Sequence, residues 1–332
     1  MKTVIIGRSS SLSAGLSATL PGSVLVSARE LASVDVKSVL PREPFVLVMN
    51  HFQPAGRLGD LTSPSAYVQL ALTTTARLLE GIAGYDCRRI LYTSSAAVYG
   101  DNVACREDDV PQAASLHAAL KVSNEHLVRD VCADRGLDCT VVRLFNLYGG
   151  QDSFSVVAKI VAAVRSETPL VLANEGNAIR DFVHLNDVVA CYRRLLGLRG
   201  LPTVNVGTGE GTSVRSIVDA VRLQGHRLNT TSVRRNEIRV STADVSRLSE
   251  VVEVERFVKV IDHVLSELAG PCPICAQCPD SPSLALYLSA DQPVSHPALS
   301  SDADRLAWHR ACSRLLRAAF EPWPPTTTGV IR

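Results

Sequence analysis

Apolar residues in this chain fall into short runs closed by small or turn-forming residues, and these alternate with longer stretches of helical spacing. Thr3-Val-Ile-Ile-Gly7, Ser23-Val-Leu-Val-Ser27, Phe45-Val-Leu-Val-Met-Asn50 and Ile90-Leu-Tyr-Thr-Ser-Ser95 read as strands, as does the run from Cys139 through Val142. Leu70, Leu72, Leu78, Leu79 and Ile82 give residues 66–84 a helical spacing, with Ser63-Pro64 suited to its start. A second helical pattern runs from Leu116 to Arg135. Strands alternating with helices predict an α/β fold on a doubly wound parallel sheet.

Two stretches carry candidate chemistry. The first strand ends at Gly7 and runs into Arg8-Ser-Ser10-Ser11-Leu12-Ser13. A glycine between a first strand and a first helix lets backbone approach a pyrophosphate. Taken alone, the loop also reads as a serine-rich helix start with no ligand. The second stretch is the strand ending at Ser95, followed downstream by His117 and Lys121. At i and i+4 these two side chains share a helical face, where each shifts the ionisation of the other. A serine at a strand end facing such a helix is an arrangement for moving protons.

Ser94-Ser95-Ala-Ala-Val98-Tyr99-Gly100, then Lys121 and Glu125, resemble the extended short-chain dehydrogenase/reductases, in the branch of nucleotide-sugar epimerases, dehydratases and reductases. Arg143-Leu-Phe145-Asn146-Leu-Tyr148-Gly149, Arg180-Asp181-Phe182 with Asp187, and Asn205-Val-Gly207 resemble further motifs of that family, in the same order. The resemblance covers residues 1 to about 267. It implies a Rossmann-type domain over 1–152, its sheet completed by parts of 175–210. It also implies a smaller substrate lobe mainly over 153–267, and leaves 268–332 as an extension. It implies Ser95, His117 and Lys121 as catalytic, with His117 standing where the family has tyrosine. Gly7, Arg8, Ser10, Ser11, Leu12, Ser13, Arg29, Asn50, Phe52 and Lys121 fall at its cofactor positions. Ser10 and Ser13 occupy two glycine positions of its loop. Ser95, Asn146, Arg180 and Arg234 fall toward a nucleotide-diphosphate sugar, forked guanidinium groups suiting a diphosphate.

The expected cofactor is NADP or NAD. At the end of the second strand Ser27-Ala28-Arg29 lacks the acidic residue that grips NAD ribose, and Arg29 there is either a partner for a ribose 2′-phosphate or a surface charge. The segment from there to Phe45 is short for the family, which predicts a trimmed adenine side. His117 is either an acid/base, since imidazole ionises near neutrality, or a spectator whose work falls to Tyr99 or a water. Ala96 and Ala97 replace the acidic pair that dehydratases use. That favours 4-keto reduction or 4-epimerisation over 4,6-dehydration, with a repurposed non-redox protein as the alternative class.

Composition narrows the setting. In 332 residues, 46% are hydrophobic and 20% charged, with a formal net charge of +1. That suits an ordinary globular protein and gives no electrostatic footprint for nucleic acid or an anionic membrane. No apolar run is long enough to span a bilayer, and the first ten residues lack a signal-peptide pattern, so a cytoplasmic location is expected. Nine cysteines, an odd number, argue for reduced thiols, with Cys87, Cys105, Cys132, Cys139 and Cys191 as small buried residues. Cys272, Cys275 and Cys278 have a spacing that can wrap a metal, but no second Cys-x-x-Cys pair completes it, and no metal is expected. A helical pattern over 302–320 is read as packing against the substrate lobe or a partner. A homodimer is expected from the resemblance.

Overall fold

The computed structural model describes residues 1–32, 34–51 and 64–269. Phe52, the cysteine-rich tail and the 302–320 helical pattern therefore lie outside the described residues. The chain enters through β1 (Lys2–Ile6), α1 (Ser11–Thr19), β2 (Val24–Val26) and β3 (Phe45–Met49). It continues through α2 (Pro64–Val68), a π-helical turn over Gln69–Thr73, α3 (Thr74–Gly81), β4 (Cys87–Ser95), β5 (Asn102–Cys105), α4 (Leu116–Asp134) and β6 (Asp138–Leu144). The second half holds β7 (Asn146–Tyr148), α5 (Val156–Ser166), β8 (Leu170–Ala173), β9 (Ile179–His184), α6 (Leu185–Gly197), β10 (Thr203–Val206) and β11 (Gly211–Ser213). It closes with α7 (Val214–Leu223), β12 (Thr230–Val233), β13 (Val240–Ala243), α8 (Ser246–Ser249) and α9 (Val260–Leu268).

Six strands form a parallel sheet in the order β10-β6-β4-β3-β1-β2. The order reverses about β1, which makes the sheet doubly wound and places a crevice at the carboxyl ends of β1 and β3. The strands read as apolar runs because both faces are covered. Leu12 and Leu16 of α1 and Val188, Tyr192 and Leu195 of α6 pack on one face against Ile5, Val48, Leu91 and Val204. Leu78 and Leu79 of α3 and Val128 and Cys132 of α4 pack on the other, against Val4, Leu47, Ile90 and Tyr92. Each of these side chains, fully buried, contributes about 1.5–3 kcal/mol of transfer free energy.

The sheet ends at β2. Among the described residues, 27–44 hold two single turns of helix, Glu30–Ala32 and Val36–Ser38, before β3 begins. A smaller mixed sheet, β11-β9-β13-β5 with β7 beside β9, lies over the carboxyl side of β4 and β6 in sequence. A separate core gathers Tyr148, Ile160 and Leu172 with Ile217, Val221 and Val264 around α5, α7 and α9.

The helix expected over 66–84 is interrupted. A π turn inserts one extra residue per turn and frees backbone groups that an α-helix would pair. Here the Ala71 carbonyl accepts from Thr75 Oγ1 at 3.2 Å and from Asn124 Nδ2 of α4 at 3.0 Å. Helix α4 is the expected one, capped by Ser115, whose hydroxyl accepts from Ala118 N. Of the cysteines, Cys105, Cys132 and Cys191 are buried, whereas Cys87 and Cys139 are half-buried because they sit at the amino-terminal ends of β4 and β6.

Candidate active site

At the end of β1, Gly7 takes φ +114°, a conformation that favours glycine. A Cβ there would stand 2.4 Å from the Asn50 carbonyl oxygen, so the strand-to-helix turn admits no side chain. Ser10 caps α1 without spending its hydroxyl on the helix. Asn50 explains the two serines: its Nδ2 donates to Ser10 Oγ at 3.0 Å and to Ser13 Oγ at 2.8 Å. Two positions that carry glycine in the resembled family are thus tied by side chains to the end of β3. Leu12 is core and Ser11 half-buried. Arg8 turns to the sheet edge, pairing with Glu30 at 3.1 Å and donating to the Leu25 carbonyl at 3.0 Å. The first turn of α1 holds no acidic residue, and the amino terminus of such a helix favours a phosphate. The glycine turn, whose space a Cβ would fill, and the amino terminus of α1 fit a dinucleotide pyrophosphate. Arg29 is exposed beside a cleft formed with α3.

At the end of β4, the half-buried Ser95 accepts from Ala97 N at 3.2 Å, which leaves its hydroxyl proton directed elsewhere. Lys121 is buried, donates from Nζ to the Thr93 carbonyl at 2.8 Å and lies 5.1 Å from the centre of the Tyr92 ring. Its charge acts on two buried imidazoles, His117 of α4 and His51 after β3. Burial, and then Lys121, lowers His117 to about 4 and His51 to about 3. Burial brings Lys121 itself down to about 7, against the opposing pull of Glu125. The group poised near neutrality is therefore the lysine, and His117 is a neutral imidazole at pH 7. His51 Nε2 is 2.9 Å from Thr75 Oγ1 while its Nδ1 has no partner. The Tyr92 hydroxyl and Asn124 Oδ1, close to one another, also lack hydrogen-bond geometry to any group.

Tyr99 is not at this cluster's disposal. Its hydroxyl donates to Asn205 Oδ1 at 2.7 Å and accepts from Arg143 Nη1 at 2.9 Å, and burial raises it to about 12. It belongs to a buried polar chain that the sequence motifs contain but do not explain. Arg143 grips Glu125 with Nε at 3.1 Å and Nη2 at 2.8 Å, Arg129 adds a third contact at 3.2 Å, and Ser94 donates to the same carboxylate. This network fixes α4, and with it His117 and Lys121, against β4 and β6.

On the substrate side, Asn146 Nδ2 donates to the Asp181 carbonyl at 3.1 Å. The Asp181 carboxylate is fully buried and accepts from Thr208 N and Oγ1, Gly209 N and Ala243 N, pinning the turn after β10 to β9 and β13. Arg180 is held at Glu237 Oε2, 3.2 Å away, and by the Ile179, Ile238 and Arg239 carbonyls. Its donors are engaged within the protein. Arg234 is exposed beyond β12. Among the described residues no cluster of three or more His, Cys, Asp or Glu side chains is placed to hold a metal, and no helix is long and apolar enough to cross a membrane.

A doubly wound parallel sheet with a glycine turn after β1 defines a Rossmann-type fold. The chain belongs to the NAD dependent epimerase/dehydratase family, which it matches over residues 7–207. It is 28% identical over 167 residues to Protein CapI of Staphylococcus aureus, an alignment covering 49% of this chain and 50% of that protein. It is 26% identical over 214 residues to UDP-glucuronate 4-epimerase of Thermodesulfobacterium geofontis, covering 62% and 66%. The chain thus matches about half to two thirds of the length of these relatives. Among solved structures, MoeE5 in complex with UDP-glucuronic acid and NAD shares its fold, with a TM-score of 0.71, 24% identity and coverage of 81% of this chain and 98% of that one. UDP-glucuronic acid 4-epimerase from Bacillus cereus gives a TM-score of 0.73 at 18% identity, covering 81% and 98%.

Proposed function

We propose that this chain acts on a carbinol of a nucleotide-activated sugar, by 4-keto reduction or 4-epimerisation, with a nicotinamide dinucleotide held along the carboxyl ends of β1, β3 and β4. The observation that carries this reading is the buried Lys121, whose ammonium anchors on the Thr93 carbonyl, two residues before Ser95, while its charge acts on the buried His117. The family description and the UDP-sugar epimerases among the relatives support it. The bound nicotinamide supplies the acceptor and donor for hydride exchange. Ser95, oriented by Ala97 N, donates a hydrogen bond to the reacting sugar oxygen and keeps its proton. His117, neutral at physiological pH, accepts the carbinol proton, and the nearby Lys121 charge favours its return. Gly7, Ser10, Ser11 and Ser13 shape the phosphate turn, with Asn50 setting the two hydroxyls. Asn146 and Arg234 face the sugar nucleotide, and Arg180 supports that wall through Glu237. Residues 1–152 form the dinucleotide part and 153–267 the main substrate lobe. The family resemblance supports a homodimer.

The test is titration with NADH and NADPH by fluorescence, followed by turnover of UDP-sugars and 4-keto sugar nucleotides, beside His117→Ala. The variant is expected to keep dinucleotide binding and lose about 10²-fold or more in turnover, the scale of a positioned acid/base. Binding of sugar nucleotide without either dinucleotide would refute hydride chemistry in favour of a repurposed, non-redox scaffold. Unaltered turnover in His117→Ala would remove that residue from the role.

A further inference from the structure

Three cysteines gather at the amino-terminal ends of the central strands, away from the carboxyl ends that hold the candidate active site. Cys87 opens β4, Cys139 is the second residue of β6 and Cys132 lies in the last turn of α4. All three pack in the apolar cluster between α4 and the sheet. The end of α4 brings two of them together. Gly136 takes φ +60°, and the Leu137 amide returns to the Cys132 carbonyl at 2.8 Å, a helix stop that turns the chain directly into β6. By strand alternation Cys139 shares the face of Val141, the face that α4 covers. There the Cys132 thiol donates to the Cys139 sulfur.

The two sulfurs are not equivalent. Cys132 is 1% exposed, whereas Cys139 is half-buried. The bond from Cys132, and then the Arg129 and Arg89 charges, draw the Cys139 thiol below its ordinary value, against burial and Asp138. The same bond, with burial, raises the Cys132 thiol. Both guanidinium groups are fixed in place. Arg89 Nη2 donates to Thr140 Oγ1 at 2.6 Å while Nη1 pairs with Asp138, and Arg129 Nη2 donates to Thr203 Oγ1 at 3.0 Å and to Glu125 at 3.2 Å. Cys87 donates to the Arg89 carbonyl at 3.6 Å, and burial raises it to about 11, which leaves it a spectator thiol. A partly open thiol beside fixed cations, touching a second thiol, has the surroundings in which a cysteine is oxidised and then resolved.

We propose that Cys139 and Cys132 are a hydroperoxide-reactive pair that closes to a disulfide between the last turn of α4 and β6. The Cys139 thiolate attacks the peroxide O–O bond; an S–O bond forms, the O–O bond breaks, and the departing hydroxide takes up a proton to leave as water. The Cys132 sulfur then attacks the sulfenic sulfur. The S–S bond forms, the S–O bond breaks, and the Cys132 proton goes with the hydroxide as a second water. Two electrons pass from the two thiols to one hydrogen peroxide, and an external dithiol returns them. The site is separate from the candidate active site and needs neither dinucleotide nor sugar: His117 and Lys121 lie about 16–22 Å along the same helix. Its bond staples the far end of the helix that carries them.

The test treats the full chain, reduced and folded, with hydrogen peroxide, blocks the remaining thiols with iodoacetamide, and reads tryptic peptides by mass spectrometry. Cleavage after Arg129, Arg135 and Arg143 puts Cys132 and Cys139 on separate peptides, so the disulfide appears as one linked pair, lighter by two hydrogens than the two free peptides together. Dithiothreitol is expected to return both peptides to the alkylated form. Cys132→Ser is expected to stop at the Cys139 sulfenic acid, trapped by dimedone, and Cys139→Ser to leave Cys132 unlabelled. Circular dichroism checks that each variant is folded, and Cys132→Ala serves where a hydroxyl in the core unfolds the chain. Full alkylation of both cysteines after peroxide overturns the proposal. So does a bond from Cys139 to any other cysteine, or dimedone label on Cys132 in Cys139→Ser.

Discussion

Glu125→Gln tests whether the buried network beneath the site holds α4 in place. Glu125 and Arg143 are 1% and 3% exposed in their side chains, so neither charge has water to fall back on. Arg143 places two donors on the carboxylate, at 3.1 and 2.8 Å, and two more on Tyr99 Oη and the Glu107 carbonyl. Removing the negative charge while leaving the guanidinium buried costs about 3–5 kcal/mol, because the ion stays desolvated without its partner. With a urea m-value of about 3 kcal/mol/M, the unfolding midpoint should fall by ~1–1.7 M. Asp86→Asn is the control, since the Arg88–Asp86 pair is about half exposed and should cost less than ~1 kcal/mol. The double replacement Glu125→Met with Arg143→Met should be less destabilised than Glu125→Gln alone, because it removes both buried charges. Urea unfolding followed by circular dichroism measures all three. A midpoint shift for Glu125→Gln no larger than that for Asp86→Asn would refute the claim that this pair is a buried, mutually dependent one.

Two further outcomes follow from the site. Because His117, His51 and Lys121 are all depressed when folded, the unfolded chain binds more protons at intermediate pH, and stability should rise with pH from about 4 to 6.5 for the histidines and from about 7 to 10.5 for the lysine. Thermal melts across pH 6–10 should show the upper rise flattened in Lys121→Met, and an identical slope in the variant would contradict the burial of its charge. Gly7→Ala should destabilise by about 1–3 kcal/mol from backbone strain alone and weaken dinucleotide binding, read by denaturation and titration of the same sample.

The parallel sheet and helix α4 were legible because each rests on a local pattern: apolar runs ending in Gly7 or Ser95, and a serine cap ahead of Leu116. The trimmed β2–β3 segment was legible from its length. What escaped needed partners distant in sequence. The π turn hides within an ordinary helical spacing of leucines, and the partner of its Ala71 carbonyl, Asn124, is 53 residues away. The serines at two glycine positions make sense only once Asn50 lies beside them. Tyr99 looked available for proton transfer until Arg143 and Asn205 closed on its hydroxyl. Arg180 looked like a diphosphate ligand, but Glu237 occupies it. The depression of Lys121 depends on burial, which a helical wheel does not measure.

Losing an outer strand ordinarily leaves a sheet with an adhesive border, a row of backbone groups able to recruit a strand from another molecule. Here the border is β2, three residues or about 10 Å long, too short to template much. The Gly7 and Arg8 amides draw the Val26 carbonyl inward, so by strand alternation the Leu25 carbonyl faces out, and Arg8 covers it. The arginine that the family resemblance puts at the nucleotide loop thereby covers the outward carbonyl at the middle of this edge, which leaves β2 a poorer template for a foreign strand.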